Sequence, residues 1–212
     1  MSNKLQTLYY YAEFVVLFLV IPVILYFTAK GSSIFLGLWV FLLICYALIR
    51  KQDAPYLWDT SAITWKNLKP ILLRFALSAV ALTGFLWWYE PERLFQFMLT
   101  MPENWAMVMF LYPILSIFPQ EYIYRHFFFL RYKHIFPDMH HMVAASGVAF
   151  GIAHILLYNP IAVTLSMIGG LFFAYTYAKT RSLMLVMIEH ALYGNFIFTV
   201  GLGWYFWAGA VR

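Results

Sequence analysis

The chain has 212 residues, of which 64% are hydrophobic, 21% aromatic and only 11% charged, with a formal net charge of +5. A soluble domain is about 25% charged, so this balance excludes an ordinary water-soluble globule and implies a polytopic membrane domain, with aromatics gathered at the lipid–water interfaces. The basic residues sit in short loops, which points to topology rather than nucleic acid, and Cys45, the one cysteine, excludes an intrachain disulfide.

A bilayer-spanning helix needs about 17–25 predominantly apolar residues. Such runs fall at about 9–29, 33–49, 71–89, 105–130, 140–158, 160–178 and 182–203, which predicts an all-α bundle of about seven spanning helices. The first run is long and no small-residue cleavage pattern follows it, so it reads as a retained helix. Glu13, near its start, reads as an interfacial carboxylate reaching toward water. The polar segment 51–70 reads as a loop on the membrane surface, and 90–104 as a linker with a short interfacial helix. No internal repeat or low-complexity tract is visible.

Loop charges set the orientation. Arg50, Lys51, Lys66, Lys69, Arg131, Lys133, Lys179 and Arg181 fall on one side of seven spans; Lys30, Arg93 and Arg212 fall on the other, with Glu90, Glu92 and Glu103. The positive-inside rule then places the N-terminus in the cytoplasm and the C-terminus outside.

Ionisable groups inside spans cost at least about 2.5–3.5 kcal/mol for an aspartate or lysine, so Glu121, Arg125, His154, Glu189 and His190 call for explanation. Glu121 and Arg125, four residues apart, stack on one helix face with the acid on the favourable N-terminal side, as an ion pair locking the helix or as a carboxylate kept ionised for general-base work. Pro119 disturbs the ladder just before them and hints at a hydrated cavity. In the fifth span Phe150 and His154 share a face, among small residues that admit a close neighbour. Glu189 and His190 point about 100° apart; His190 reads as inward, Glu189 as its second-shell partner, and Tyr193 and Asn195 as donors. The acid and His190 lie about 15 and 13 Å along their helices from the cytoplasmic loops. His154 shares that layer if its span starts near Val143, at about 17 Å, and is separated from it if the span starts at Asp138, at about 24 Å.

These residues resemble the motifs of the CAAX prenyl endopeptidase and bacteriocin-processing (ABI, CPBP) family of intramembrane proteases: Glu-Glu-x-x-x-Arg, Phe-x-x-x-His and His-x-x-x-Asn on successive helices. The chain offers Gln120-Glu121-x-x-x-Arg125, then Phe150-x-x-x-His154, then His190 with Asn195. The resemblance implies a membrane-embedded glutamic-type peptidase in the plasma membrane of a prokaryote. It would act without a cofactor on a membrane-associated peptide or protein, with no nucleic-acid partner. Residues 1–70 would be an N-terminal helical hairpin and surface loop, and 71–212 the catalytic helical core, of a single integral membrane domain. By the same resemblance Glu121 activates water, Arg125 holds Glu121 ionised, His154 positions the water or shuttles the proton, and His190 and Asn195 stabilise the oxyanion. Gln120, Phe150, Glu189 and Tyr193 would line or support the site.

Two departures stand out. Gln120 replaces the family's first glutamate, taken there as the base, and glutamine cannot be one. Asn195 follows His190 by five residues instead of four, about 140° away on a regular helix, unless a bulge at Gly194 restores it. Otherwise Tyr193 shares the His190 face. Alternatives remain: zinc held by Glu121, His154 and His190; a catalytically altered immunity or peptide-binding protein; and a proton pathway, against which the absence of a repeat counts.

Overall fold

The structure, a computed structural model, describes residues 3–28, 33–52 and 56–207. Each apolar run folds as a helix: α1 (Lys4–Thr28), α2 (Ser33–Ile49), α3 (Trp65–Tyr89), α4 (Pro102–Arg131), α5 (Met139–Leu157), α6 (Pro160–Thr180) and α7 (Leu183–Val200). Six are long and apolar enough to cross a membrane, and α2, with 17 residues, is shorter. No strand occurs among the described residues. Lys30 and Arg212, used in the charge count, lie outside them.

The helix ends follow local chemistry. Asp138 accepts from the backbone N–H groups of His140 and His141 to start α5, Asn159 does the same for Ile161 and Ala162 ahead of Pro160 in α6, and Ser182 caps α7 through Leu185 N–H. Gly201 ends α7 with φ +116, and a Cβ there would stand 2.1 Å from the Arg93 carbonyl oxygen, so only glycine fits. That carbonyl belongs to the 90–104 linker, which forms a 3₁₀ turn (Pro91–Arg93) and a short helix (Gln96–Thr100), in line with the sequence.

Two expectations need correction. The third helix begins at Trp65 and not near 71, so the tail of the 51–70 segment is helix. Thr64 O accepts from Asn67 and Leu68 N–H, and Pro70 is tolerated because the carbonyl it frees belongs to exposed Lys66. Nor does Glu13 reach toward water. Both its oxygens bind Arg131, at 2.9 and 2.7 Å, and Tyr132 donates at 3.1 Å. A bidentate guanidinium outcompetes solvent here and ties α1 to the end of α4, beside a cluster of Phe14, Phe18, Phe128 and Tyr132 rings.

Tight contacts hold the helices that frame the site. A Cβ on Gly147 would lie 2.6 Å from Leu171, and one on Gly151 2.7 Å from Met167 Cβ, so α5 and α6 pack as close as their backbones allow. The fifth span's small residues serve this approach. In α4 the helix widens to π-type turns at Pro113–Ile117 and Tyr122–Phe127. Proline has no N–H, so Pro113 leaves Met109 O unpaired and Pro119 leaves Leu115 O unpaired. Side chains from other helices take both: Asn195 of α7 donates to Met109 O at 3.5 Å, and Trp39 of α2 to Leu115 O at 3.0 Å. Ser146 of α5 likewise donates to Tyr124 O at 2.7 Å, inside the second π turn. Irregular backbone in this helix is thus covered by protein, as a low-dielectric surrounding requires.

Candidate active site

Glu121 and Arg125 of α4 are both fully buried, with Arg125 Nε 3.1 Å from Glu121 Oε2. The contact is an ion pair and not an aligned hydrogen bond, since neither atom has a hydrogen-bond partner among the described residues. Arg125 Nη2 donates to Gly170 O at 3.0 Å, and the guanidinium lies 4.7 Å over the Phe150 ring. The other carboxylate oxygen, Glu121 Oε1, is 2.7 Å from His190 Nδ1 on α7. A carboxylate accepts, so Nδ1 carries the hydrogen, and Nε2 of the neutral ring is left as an acceptor. Tyr112 OH donates to that Nε2 at 3.2 Å.

His154 stands at the end of α5, where the helix tightens to a 3₁₀ turn. Its Nδ1 is 2.7 Å from Phe150 O, an atom that only accepts, so the His154 Nε2 is also an acceptor in the neutral ring. Phe150 lies between the imidazoles, with its centroid 4.7 Å from His154 and 5.7 Å from His190, while Phe173 stacks on His190 at 4.5 Å. A cavity of about 230 Å³ opens beside them, lined by Tyr112, Phe150, His154, Phe173, His190 and Tyr193, with further walls from α3 and α6.

α5 begins at Met139 with Asp138 as its cap, which matches the start expected to separate His154 from the other groups, yet His154 and His190 line one cavity. Rise along a helix measures depth only from a shared starting plane, which the sequence does not supply.

The remaining residues divide. Glu189 is fully buried and pairs with Arg74 of α3, whose Nη2 is 2.8 Å from Glu189 Oε1 and 3.0 Å from Thr176 Oγ1. Tyr193 lines the cavity. Gln120 lies outside the cavity wall, its amide donating to Ser116 Oγ at 2.7 Å. Asn195 faces a different hollow on α7, lined by Phe75, Leu192 and Thr199; α7 stays regular through Gly194, so no bulge turns it back. Glu121, His154 and His190 do not converge as ligands: among the described residues no three His, Cys, Asp or Glu groups are arranged to hold a metal ion. Sequence reasoning missed Arg74 and Tyr112. Arg74 could have been found, as a charge within an apolar run; Tyr112 carried no signal.

Residues 102–196 match the family model described as Rce1-like, Type II CAAX prenyl endopeptidase Rce1-like. No curated protein and no solved structure matches the chain. The matched stretch holds Glu121, Arg125, Phe150, His154, His190 and Asn195 and leaves α1, α2 and α3 outside it. The chain is therefore a multi-pass membrane protein whose residues 102–196 are similar to the Rce1-like family of type II CAAX prenyl endopeptidases.

Proposed function

We propose that the chain is an intramembrane endopeptidase that hydrolyses a peptide bond with a water held beside His190 and His154. The observation that carries this reading is the 2.7 Å contact of Glu121 with His190 Nδ1, with the same imidazole lining the cavity shared with His154. A water on His190 Nε2 can donate a hydrogen to that nitrogen and turn a lone pair to a carbonyl carbon, with His154 on the same cavity wall. His190 Nε2 takes a proton as the water oxygen bonds to that carbon. The tetrahedral intermediate then collapses, the C–N bond breaks, and the proton passes to the departing amine. No covalent enzyme intermediate is needed. In this reading Glu121 works through His190, where the motif alone suggests direct contact with water, and its charge compensates the imidazolium formed after proton transfer. Arg125 balances Glu121 before that, and Asn195 is held by the α4 backbone.

The substrate in this proposal is a membrane-associated peptide or protein, and no cofactor is required. The chain would sit in the plasma membrane of a prokaryote with its N-terminus in the cytoplasm, 1–70 serving as a hairpin and surface loop beside the 71–212 catalytic core.

The test is cleavage of a prenylated Cys-aliphatic-aliphatic-X peptide by the protein in liposomes, with products identified by mass spectrometry. Glu121→Gln, His154→Ala and His190→Ala should each lose about 10²-fold or more while keeping the wild-type circular dichroism. Full activity in any one of them sinks the mechanism. Gln120→Glu should bring no large gain, since the side chain is tied to Ser116 away from the cavity. A large gain would identify position 120 as a missing base. Gln120 is also what favours the second reading, an altered family member that binds a peptide without cutting it; binding with no cleavage, before or after Gln120→Glu, supports that one.

A further inference from the structure

We infer that Tyr112 is a catalytic residue, whose hydroxyl donates to the oxyanion of the tetrahedral intermediate in place of Asn195; this rests on the hydrolase reading and deepens it. The first observation is position. Tyr112 lies in α4 directly before Pro113, lines the cavity, and brings its OH to 3.2 Å from His190 Nε2. A water on that nitrogen and the carbonyl it attacks fall within about one hydrogen-bond length of the phenol oxygen. In the resting site the hydroxyl covers the acceptor nitrogen. When water replaces it there, the same O–H is free to turn to the carbonyl oxygen as charge develops. The tyrosine keeps its proton, and no bond to it forms or breaks.

The second observation is how Tyr112 is held. Gly194 of α7 leaves a notch against which the ring lies: a Cβ at 194 would stand 2.3 Å from Tyr112 Cε1 and 2.8 Å from its OH. Phe198 packs edge-on to the ring at 5.2 Å. A donor fixed by packing is already oriented before reaction, which is what makes such a group effective. The third observation concerns Asn195. Its amide serves the carbonyl left open by Pro113 and lies on the other hollow of α7, out of the cavity. One glycine thus lengthens the His190–Asn195 spacing and opens room for a phenol from another helix.

The experiment separates oxyanion binding from turnover. Two ligands derived from the prenylated Cys-aliphatic-aliphatic-X peptide are used: a phosphinate that mimics the charged tetrahedral centre, and the unreacted peptide bound to a His190→Ala background. Tyr112→Phe should weaken the phosphinate about 10²-fold and leave peptide affinity within a few-fold. Gly194→Ala, which displaces the retained tyrosine, should do the same. Where the wild type cleaves, kcat should fall by a similar factor in both variants with little change in KM. Unaltered phosphinate affinity in Tyr112→Phe, equal losses for both ligands, or a larger kcat loss in Asn195→Ala than in Tyr112→Phe overturns the assignment. Selective loss of the phosphinate in a chain that cleaves nothing retains the oxyanion site and removes the hydrolase reading instead.

Discussion

Arg74→Met probes the one charge on α3 that reaches the interior. Its guanidinium is the sole ion-pair partner of Glu189 among the described residues, and the Glu189 side chain is 0% exposed against 26% for Arg74. Glu189 Oε2 already lacks a hydrogen-bond partner, so removing Arg74 leaves a buried carboxylate with little to offset its charge. Breaking a buried pair from one side costs about 3–5 kcal/mol. Because Arg74 is partly exposed, its pairing is partly screened, and the lower end, about 3 kcal/mol, is expected. The double variant Arg74→Met/Glu189→Gln removes both charges and should cost about 1 kcal/mol or less, a coupling of about 2 kcal/mol between the sites. Titration into denaturing detergent, followed by far-UV circular dichroism, measures all three differences. A single-variant cost under about 1 kcal/mol, or costs that simply add in the double variant, would refute the argument that Glu189 depends on Arg74.

Two further predictions test local structure. Trp39→Phe should cost about 1–2 kcal/mol by leaving Leu115 O unpaired, and adding Pro119→Ala, which restores a backbone N–H to that carbonyl, should make Trp39→Phe nearly silent; equal cost in both backgrounds removes the assignment. Beyond the end of α3, burial pushes the Glu90 carboxyl up, but the paired Arg93 guanidinium and the nearby Tyr205 hydroxyl outweigh it and hold it below its ordinary value of 4.5. A carboxyl depressed by folding stabilises above the unfolded value and loses that contribution as pH falls through the folded one. The melting-temperature gap between wild type and Glu90→Gln should therefore be open at pH 7 and close on acidification below the ordinary value of 4.5; a gap that widens in acid contradicts the pairing.

Much of the fold was legible because hydrocarbon imposes a simple rule: a run such as 160–178 must satisfy its backbone internally, and α6 occupies Pro160–Thr180. The candidate residues stood out for the complementary reason, that Glu121, His154 and His190 are costly in such runs. What escaped depends on neighbours in space. The polar start of α3 looks like loop because water, not an apolar face, surrounds Trp65 and Lys66. Glu13 looks like a solvated acid until Arg131, 118 positions away, is brought to it. Asn195 reads as a donor for the reaction, and only the structure shows its amide meeting the Met109 carbonyl that Pro113, on another helix, leaves open.

The arrangement also bears on how the proposed reaction would run in an apolar cavity. Both buried carboxylates have a guanidinium beside them, Glu121 with Arg125 and Glu189 with Arg74, and none of these four side chains lines the cavity wall. The wall offers imidazoles, phenols and phenyl rings, so an apolar chain can enter without burying itself against a formal charge. In the proposed reaction, charge becomes useful only once a proton reaches His190. At about 4 Å and an effective dielectric near 20, a carboxylate attracts an imidazolium by about 4 kcal/mol, an attraction absent while the ring is neutral. An interaction made only as the transition state forms lowers the barrier, whereas one made equally with the bound substrate does not. The oblique contact of Arg125 with Glu121 fits this requirement: it offsets desolvation of the carboxylate, while Oε1 remains bonded to the imidazole that would carry the transient charge in the proposed reaction.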